Sequence, residues 1–377
     1  MTKREKEIVS HLRENPLISQ EELAEILGIS RSSVGVHIGN LMKKGIVKGK
    51  GYILQDEIRT LIIGGANIDL EGFPLNPLRL NDSNPGSIRT TYGGVGRNIA
   101  ENLSRVGVEV GLITSVGNDD YGRKIIDHAH NIGIDTDLVE RSNSHPTSAY
   151  VAILDENHDM KVAISQMDVM RELTPERIMR KLSILNKAPL LCIDGNLRED
   201  TIEFLIKQLK STPVFVDPVS TTYAKKFSGV LHLIHTIKPN KSEAEQLLDI
   251  RIRTKNDLQS AGRMFIKHGV KQVFISLGDK GVYFKTLKEE GIVKGTPRKI
   301  ISVTGAGDGF MAGLINGFIK NWQINKTVCF AQGISHVNML SPFTIHPELS
   351  AELVEKEMKI SKVTIEFLKE EDNNEEI

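Results

Sequence analysis

The densest chemistry in the chain lies at Val303-Thr304-Gly305-Ala306-Gly307-Asp308-Gly309-Phe310. It follows an apolar run, residues 299–303, that reads as a strand, and it opens a helix of small residues, 310–319. Small residues ahead of an Asp let backbone N–H groups converge at a helix N-terminus with no side chain in the way. The helix dipole adds to the attraction for anionic oxygens. A carboxylate at the same spot can take the proton of an attacking hydroxyl. Gly305, Ala306 and Gly307 as an anion hole, with Asp308 as general base, therefore suit phosphoryl transfer. The alternative is a glycine-rich turn in which Asp308 only caps the helix. A dinucleotide fingerprint fits less well, because its third glycine would fall at Phe310. No GxxxxGK[ST] stretch exists, which excludes a P-loop.

Two more glycine turns precede this one. Gly64-Gly65-Ala66-Asn67-Ile68-Asp69 follows a strand-like run, and Gly93-Gly94-Val95-Gly96-Arg97-Asn98 starts an alanine-bearing helix. Together with Ser302-Val303-Thr304-Gly305-Ala306-Gly307-Asp308 they resemble, in the same order, the motifs of the PfkB, or ribokinase-like, family of small-molecule kinases. The resemblance runs from about Arg59 to about Leu353. It implies an α/β fold: a ribokinase-like αβα sandwich with a small β-sheet lid near residues 70–92 and 147–165, using ATP and Mg²⁺. Within the family, residues 65–69, 82–86 and 93–98 most resemble pseudouridine kinases. The expected reaction is then phosphorylation of the 5′-hydroxyl of pseudouridine. The alternatives are a family kinase acting on another nucleoside or sugar, and a transcriptional regulator that senses a nucleoside.

The resemblance also assigns residues. Asn67, Asp69, Gly93, Gly94, Arg97 and Asn98 are expected to hold the substrate. Asp69 can accept from vicinal hydroxyls, Asn98 can donate and accept, and the glycine pair lets backbone approach a sugar. Asp82, Ser83 and Asn84, with Ser148, Tyr150 and Met167 nearby, are lid candidates for reading the base. Asn240 and Glu243 match the family's NxxE element; three residues apart at a helix start, they can hold Mg²⁺ through waters. Ser276, Gly278 and Gly281, with Thr304, Gly305, Gly307, Asn240 and Asn338, are expected around ATP, and Asp217 near its phosphates. Ser302 stands where relatives that bind a monovalent cation carry Asp. A hydroxyl is the poorer ligand, so the resemblance leaves potassium activation open. His128, His130, His232 and His235 have no metal-ligand pattern and read as surface or packing residues.

The elements that must position these residues are legible too. Apolar runs beginning near residues 60, 110, 188, 212, 235 and 271 alternate with helical stretches, the pattern of a mostly parallel sheet covered on both faces. The chain has 377 residues, 40% hydrophobic and 25% charged, with no net charge and two cysteines. That rules out global disorder and a disulfide scaffold. No apolar run nears the roughly 20 residues of a membrane span and no signal segment opens the chain, so a cytoplasmic protein without membrane contact is expected.

Residues 1–57 read as a separate winged helix-turn-helix: three amphipathic helices, a glycine turn at Gly28, and a basic hairpin over residues 46–54. Through Leu54 it carries nine bases against six acids; all six acids precede Ile26 and five bases follow it. Arg31, Ser32, Ser33 and His37 on the third helix, and Lys48 and Lys50 on the hairpin, are the expected DNA contacts. The alternative is a dimer or partner contact module. Residues 58–365 form the expected kinase domain and 366–377 an acidic tail. A homodimer is expected.

Overall fold

In the computed structural model, residues 1–49, 59–157 and 159–368 are described. The chain separates into two units, Met1–Ile58 and Arg59–Ile377. In the first, helices Lys3–Glu14, Gln20–Leu27 and Arg31–Lys43 bury Ile8, Leu12, Leu23, Val34, Ile38 and Leu41 against one another. Thr2 and Ser19 form reciprocal capping boxes with Glu5 and Glu22, and Gly28 ends the second helix in the left-handed region. The expected hairpin is described only through Gly49, and Lys50 lies outside the described residues.

The second unit is built on a nine-stranded sheet. In spatial order its strands are Thr364–Phe367, Glu290–Lys294, Val282–Thr286, Gln272–Ser276, Thr236–Ile237, Val214–Asp217, Leu191–Asp194, Thr60–Ile63 and Val110–Ile113. The six from Gln272–Ser276 to Val110–Ile113 are mutually parallel, and the other three are antiparallel. Alternation within each strand divides the interior into two cores. Leu61, Ile63, Leu191, Ile193, Val214 and Val216 pack on one face, whereas Ile62, Cys192 and Phe215 pack on the other. Helices cover both, which is why these strands are continuously apolar. The lid is a four-stranded sheet in the order Gly86–Gly93, Asn67–Pro74, Ala149–Leu154, Met160–Gln166. Among the described residues no helix is long and apolar enough to cross a membrane.

Two sequence expectations need correction. Residues 299–303 are not a strand: Ile300, Ile301 and Val303 are exposed, and the segment is tied through the Ile301 N–H to the Met339 carbonyl. The acidic tail does not begin at residue 366, because the last strand continues through Phe367, whose ring packs edge-on against Phe284. Glu366 in that strand pairs with Lys255 and Lys294, which together hold its carboxyl down at about 2. His128 and His235 do pack, on Tyr92 and Phe215 respectively.

Candidate active site

The parallel strands all point their C-terminal ends to one edge, the place where open α/β sheets bind ligands. That edge carries Gly64 to Asp69, Asp194, Asp217, Lys238 and Ser276.

On one side, two glycine turns interlock. Gly94 has φ 97°, and a Cβ there would collide with the Gly65 carbonyl; one on Gly93 would collide with the Asp69 carboxylate. Asp69 accepts from the Asn67 amide at 2.5 Å, and burial pushes its carboxyl up to about 6 against that hydrogen bond. Beneath them lies Asp194, fully buried at the end of its strand. One of its oxygens accepts from the N–H groups of Gly65 (2.7 Å) and Gly96 (2.8 Å), and the other from the N–H of Asn196 (2.8 Å). Burial raises Asp194 to about 6, while the backbone donors work in the other direction. This carboxylate staples the Gly65 turn to the helix Val95–Arg105 and had no role in the sequence reading. An acid closing a buried strand at the ligand-binding edge was the available signal.

On the other side, Gly305 (φ 78°) caps the helix Ala306–Ile319, and a Cβ on it would meet the Thr344 carbonyl. Asp308 sits in the first turn and accepts from the Asn98 amide at 2.8 Å, across 210 residues of sequence. Its carboxyl is pushed up to about 7, first by burial and then by Asp217; Asn98 and Lys238 oppose the shift. Such a value suits a general base working near neutrality. Lys238, 6% exposed, lies 3.1 Å from the Asp217 carboxylate. Burial works against its charge, but Asp217, Glu243 and Asp308 together keep the ammonium protonated above its ordinary range. A Cβ on Gly307 would lie 3.3 Å from the Lys238 Nζ. The glycine loop therefore faces a buried cation, a second residue without an assigned role in the sequence reading.

The remaining candidates separate clearly. Asn240 bridges to Ser276 between neighbouring strand ends, and Gly278 and Gly281 follow on the turn before Val282–Thr286. Asn240 and Glu243 form a reciprocal capping box, with the Asn240 N–H and amide donating to the two Glu243 oxygens at 2.9 and 2.7 Å. Burial, and then Asp217, raise the Glu243 carboxyl. Among the described residues no three His, Cys, Asp or Glu converge as a metal cage. The Asn240 amide and the Glu243 carboxylate, at the start of one helix, are oxygen donors of the kind Mg²⁺ takes through its waters. Thr304 donates its N–H to the Ser302 hydroxyl, so that side chain serves the turn.

Four candidates, Arg97, Asn338, Asp82 and Asn84, have side chains engaged by the protein itself. Arg97 is 1% exposed and gives its guanidinium to the Glu101 carboxylate, the Gly93 and Tyr92 carbonyls and the Asn98 oxygen. Asn338 is fully buried behind the anion loop, donating to Asn102 and accepting from the His346 N–H. Asp82 and Asn84 lie on the loop between two lid strands, where the Asn84 side chain closes a turn with the backbone of Arg79 and Asp82. Of the neighbouring lid candidates, Tyr150 donates to the Met160 sulfur, and the Ser148 hydroxyl is buried without a partner.

In the N-terminal unit, Arg31 is exposed and pairs with Glu21 at 2.9 Å, while the Ser32 and Ser33 hydroxyls contact that of Ser30, the helix cap. Lys48 is exposed and His37 partly so.

Comparison with known proteins agrees with this geometry. The winged helix-turn-helix DNA-binding family model matches residues 1–48. The chain is 35% identical over 353 residues to the uncharacterized sugar kinase YeiI of Escherichia coli K12, covering 93% of this chain and 98% of that one. It is equally 35% identical, over 298 residues, to the pseudouridine kinase of the same organism, covering 79% and 95%. A crystal structure of a candidate sugar kinase from Clostridium perfringens superposes with a TM-score of 0.75 at 34% identity, covering 86% of this chain and all of that one. With the family model for pfkB carbohydrate kinases matching residues 58–351, the chain belongs to the pfkB family: it is a kinase of the sugar and nucleoside class with a ribokinase-like fold.

Proposed function

We propose that the chain is a cytoplasmic kinase that transfers the γ-phosphoryl group of ATP to the 5′-hydroxyl of pseudouridine. The observation that carries the reading is the Asn98–Asp308 hydrogen bond, which joins the sugar-side turns to the anion loop at the carboxylate suited to deprotonating a hydroxyl. Asn67 and Asp69 hold the ribose hydroxyls, and Gly93 and Gly94 let backbone lie against the ring. Asp308 takes the 5′-hydroxyl proton, and the N–H groups of residues 305–308 receive the charge that develops on the transferring oxygens. The Lys238 ammonium, next to Gly307, adds fixed positive charge there. Asn240 and Glu243 would hold Mg²⁺ through waters, and the ion would neutralise phosphate charge.

The 35% identity to a pseudouridine kinase supports the substrate. Equal identity to a sugar kinase over a longer stretch favours the second reading, another nucleoside or a sugar. A coupled assay with ATP and pseudouridine, uridine, guanosine, ribose and fructose decides. The highest kcat/KM on pseudouridine is expected, and a preference for any other acceptor replaces the assignment. Residues 1–49 add a proposed DNA-binding role, supported by the exposed Arg31 and Lys48 and tested by anisotropy titration at low salt. A homodimer belongs to the same reading. Val151, Val162 and Ile164, exposed on adjacent lid strands, support it, and sedimentation tests it.

A further inference from the structure

We propose that Arg97 is a positioning residue of the reaction: anchored by Glu101, its guanidinium fixes the Asn98 amide so that the NH₂ group is aimed at the Asp308 carboxylate. The inference rests on the reading of Asp308 as the base. Its logic starts from donor and acceptor types. A guanidinium only donates, so the Asn98 atom facing Arg97 Nη2 at 2.5 Å must be the oxygen. The amide nitrogen then points the other way, where Asp308 accepts from it at 2.8 Å. Without Arg97, either end of the amide could turn towards Asp308, and the oxygen end would repel the carboxylate.

The guanidinium has no freedom to do anything else. Nε donates to the Gly93 carbonyl at 3.0 Å, Nη1 to Glu101 at 2.5 Å, and Nη2 also to the Tyr92 carbonyl at 2.7 Å. Burial opposes the Glu101 charge, but Arg97 and Arg105 hold its carboxyl below the ordinary range, and Arg105 also donates to the Pro347 carbonyl. Asp308 is otherwise faced by Asp217 and Lys238 at the neighbouring strand ends and, farther off, by Asp194. None of these touches the Asn98 amide. A buried ion pair is rarely more stabilising than apolar side chains of the same volume. Its presence one residue before Asn98 is explained by orientation rather than stability.

The test is a double-mutant cycle in the full-length chain, read by steady-state kinetics with ATP and the best acceptor. Arg97→Met and Asn98→Ala are each expected to lower kcat by roughly 10²-fold, the scale of a misplaced catalytic contact, with KM for ATP unchanged. If Arg97 acts through Asn98, the double variant is no slower than Asn98→Ala alone. Losses that multiply overturn the proposal, since independent sites add in free energy. Arg97→Met/Glu101→Gln removes both charges of the pair and should fold and remain slow. Wild-type kcat in that variant overturns the proposal, and so does failure of both Arg97 variants to fold, which would make Arg97 a residue of the scaffold. A wild-type chain that phosphorylates no acceptor, or an Asp308→Asn variant of unchanged rate, instead removes the proposed function or its base.

Discussion

The two glycine turns that face each other across this site hold their glycines for different reasons. At Gly93-Gly94 the protein itself forbids side chains: the Gly65 carbonyl and the Asp69 carboxylate occupy the space. In the 305–307 turn only Gly305 is required that way, by the Thr344 carbonyl. A Cβ on Gly307 would meet only the Lys238 Nζ, at 3.3 Å. Under the proposed function the contrast separates a joint, where packing itself dictates the glycines that let backbone lie against the sugar, from a cradle, where a glycine faces the phosphates, and it sets an order of expected effects.

The largest falls on the base. Asp308→Asn should lower turnover by roughly 10² to 10⁴ with nucleotide affinity retained, measured by a coupled assay and calorimetry. Near-normal turnover would remove Asp308 from the mechanism. The glycines come next and test the contrast directly. Gly94→Ala forces a side chain into a positive φ and a backbone collision, costing about 2 to 5 kcal/mol of stability and visibly lowering the melting temperature. Gly307→Ala should melt like the parent yet lose roughly tenfold or more in kcat/KM for ATP. If the two variants exchange behaviour, the distinction between joint and cradle fails.

The pH dependence is a gentler probe of the same cradle. Because Asp308 is raised to about 7, kcat should climb as pH rises through 7 and the carboxyl ionises, and that limb should vanish in Asp308→Asn. The sign for stability is opposite. The folded chain holds this proton more tightly than the unfolded one, so the contribution to stability is present below about pH 4 and is lost as pH rises through 7. The ligand-free Asp308→Asn chain should therefore gain in melting temperature relative to the parent at pH 8 and not at pH 4. The smallest effects lie outside both turns, on the exposed third helix of the N-terminal unit and the Lys48 that follows it. Lys48→Glu should weaken binding to all DNA sequences and reduce the salt slope by about 1, whereas Arg31→Ala should change sequence preference.

Much of this was legible in the residues. The glycine turns and the buried parallel strands were readable because backbone demands for glycine and the two-residue alternation of strands are local properties, whereas the lid, present as a four-stranded sheet, followed from the family resemblance. The same local logic failed at residues 299–303. Their apolar side chains imitate a strand, but among the described residues no neighbouring strand pairs with them, and four of the five are exposed. Asn84 carries a related ambiguity. An amide on a loop reads equally well as a ligand or as a turn closure, and here it closes a turn on Arg79.

The sequence by itself determined which segments bring acids, amides and glycine backbone to the ligand-binding edge of the sheet. Only the tertiary structure decided what each polar side chain faces. Arg97 and Asn98 are neighbours in the chain, yet one turns into the protein and the other reaches Asp308, 210 residues away. Asn338 lies behind the anion loop, and Lys238 beside it. Direction of this kind depends on which helices and strand ends pack together. A buried donor or acceptor must then find whatever partner that packing brings within about 3 Å.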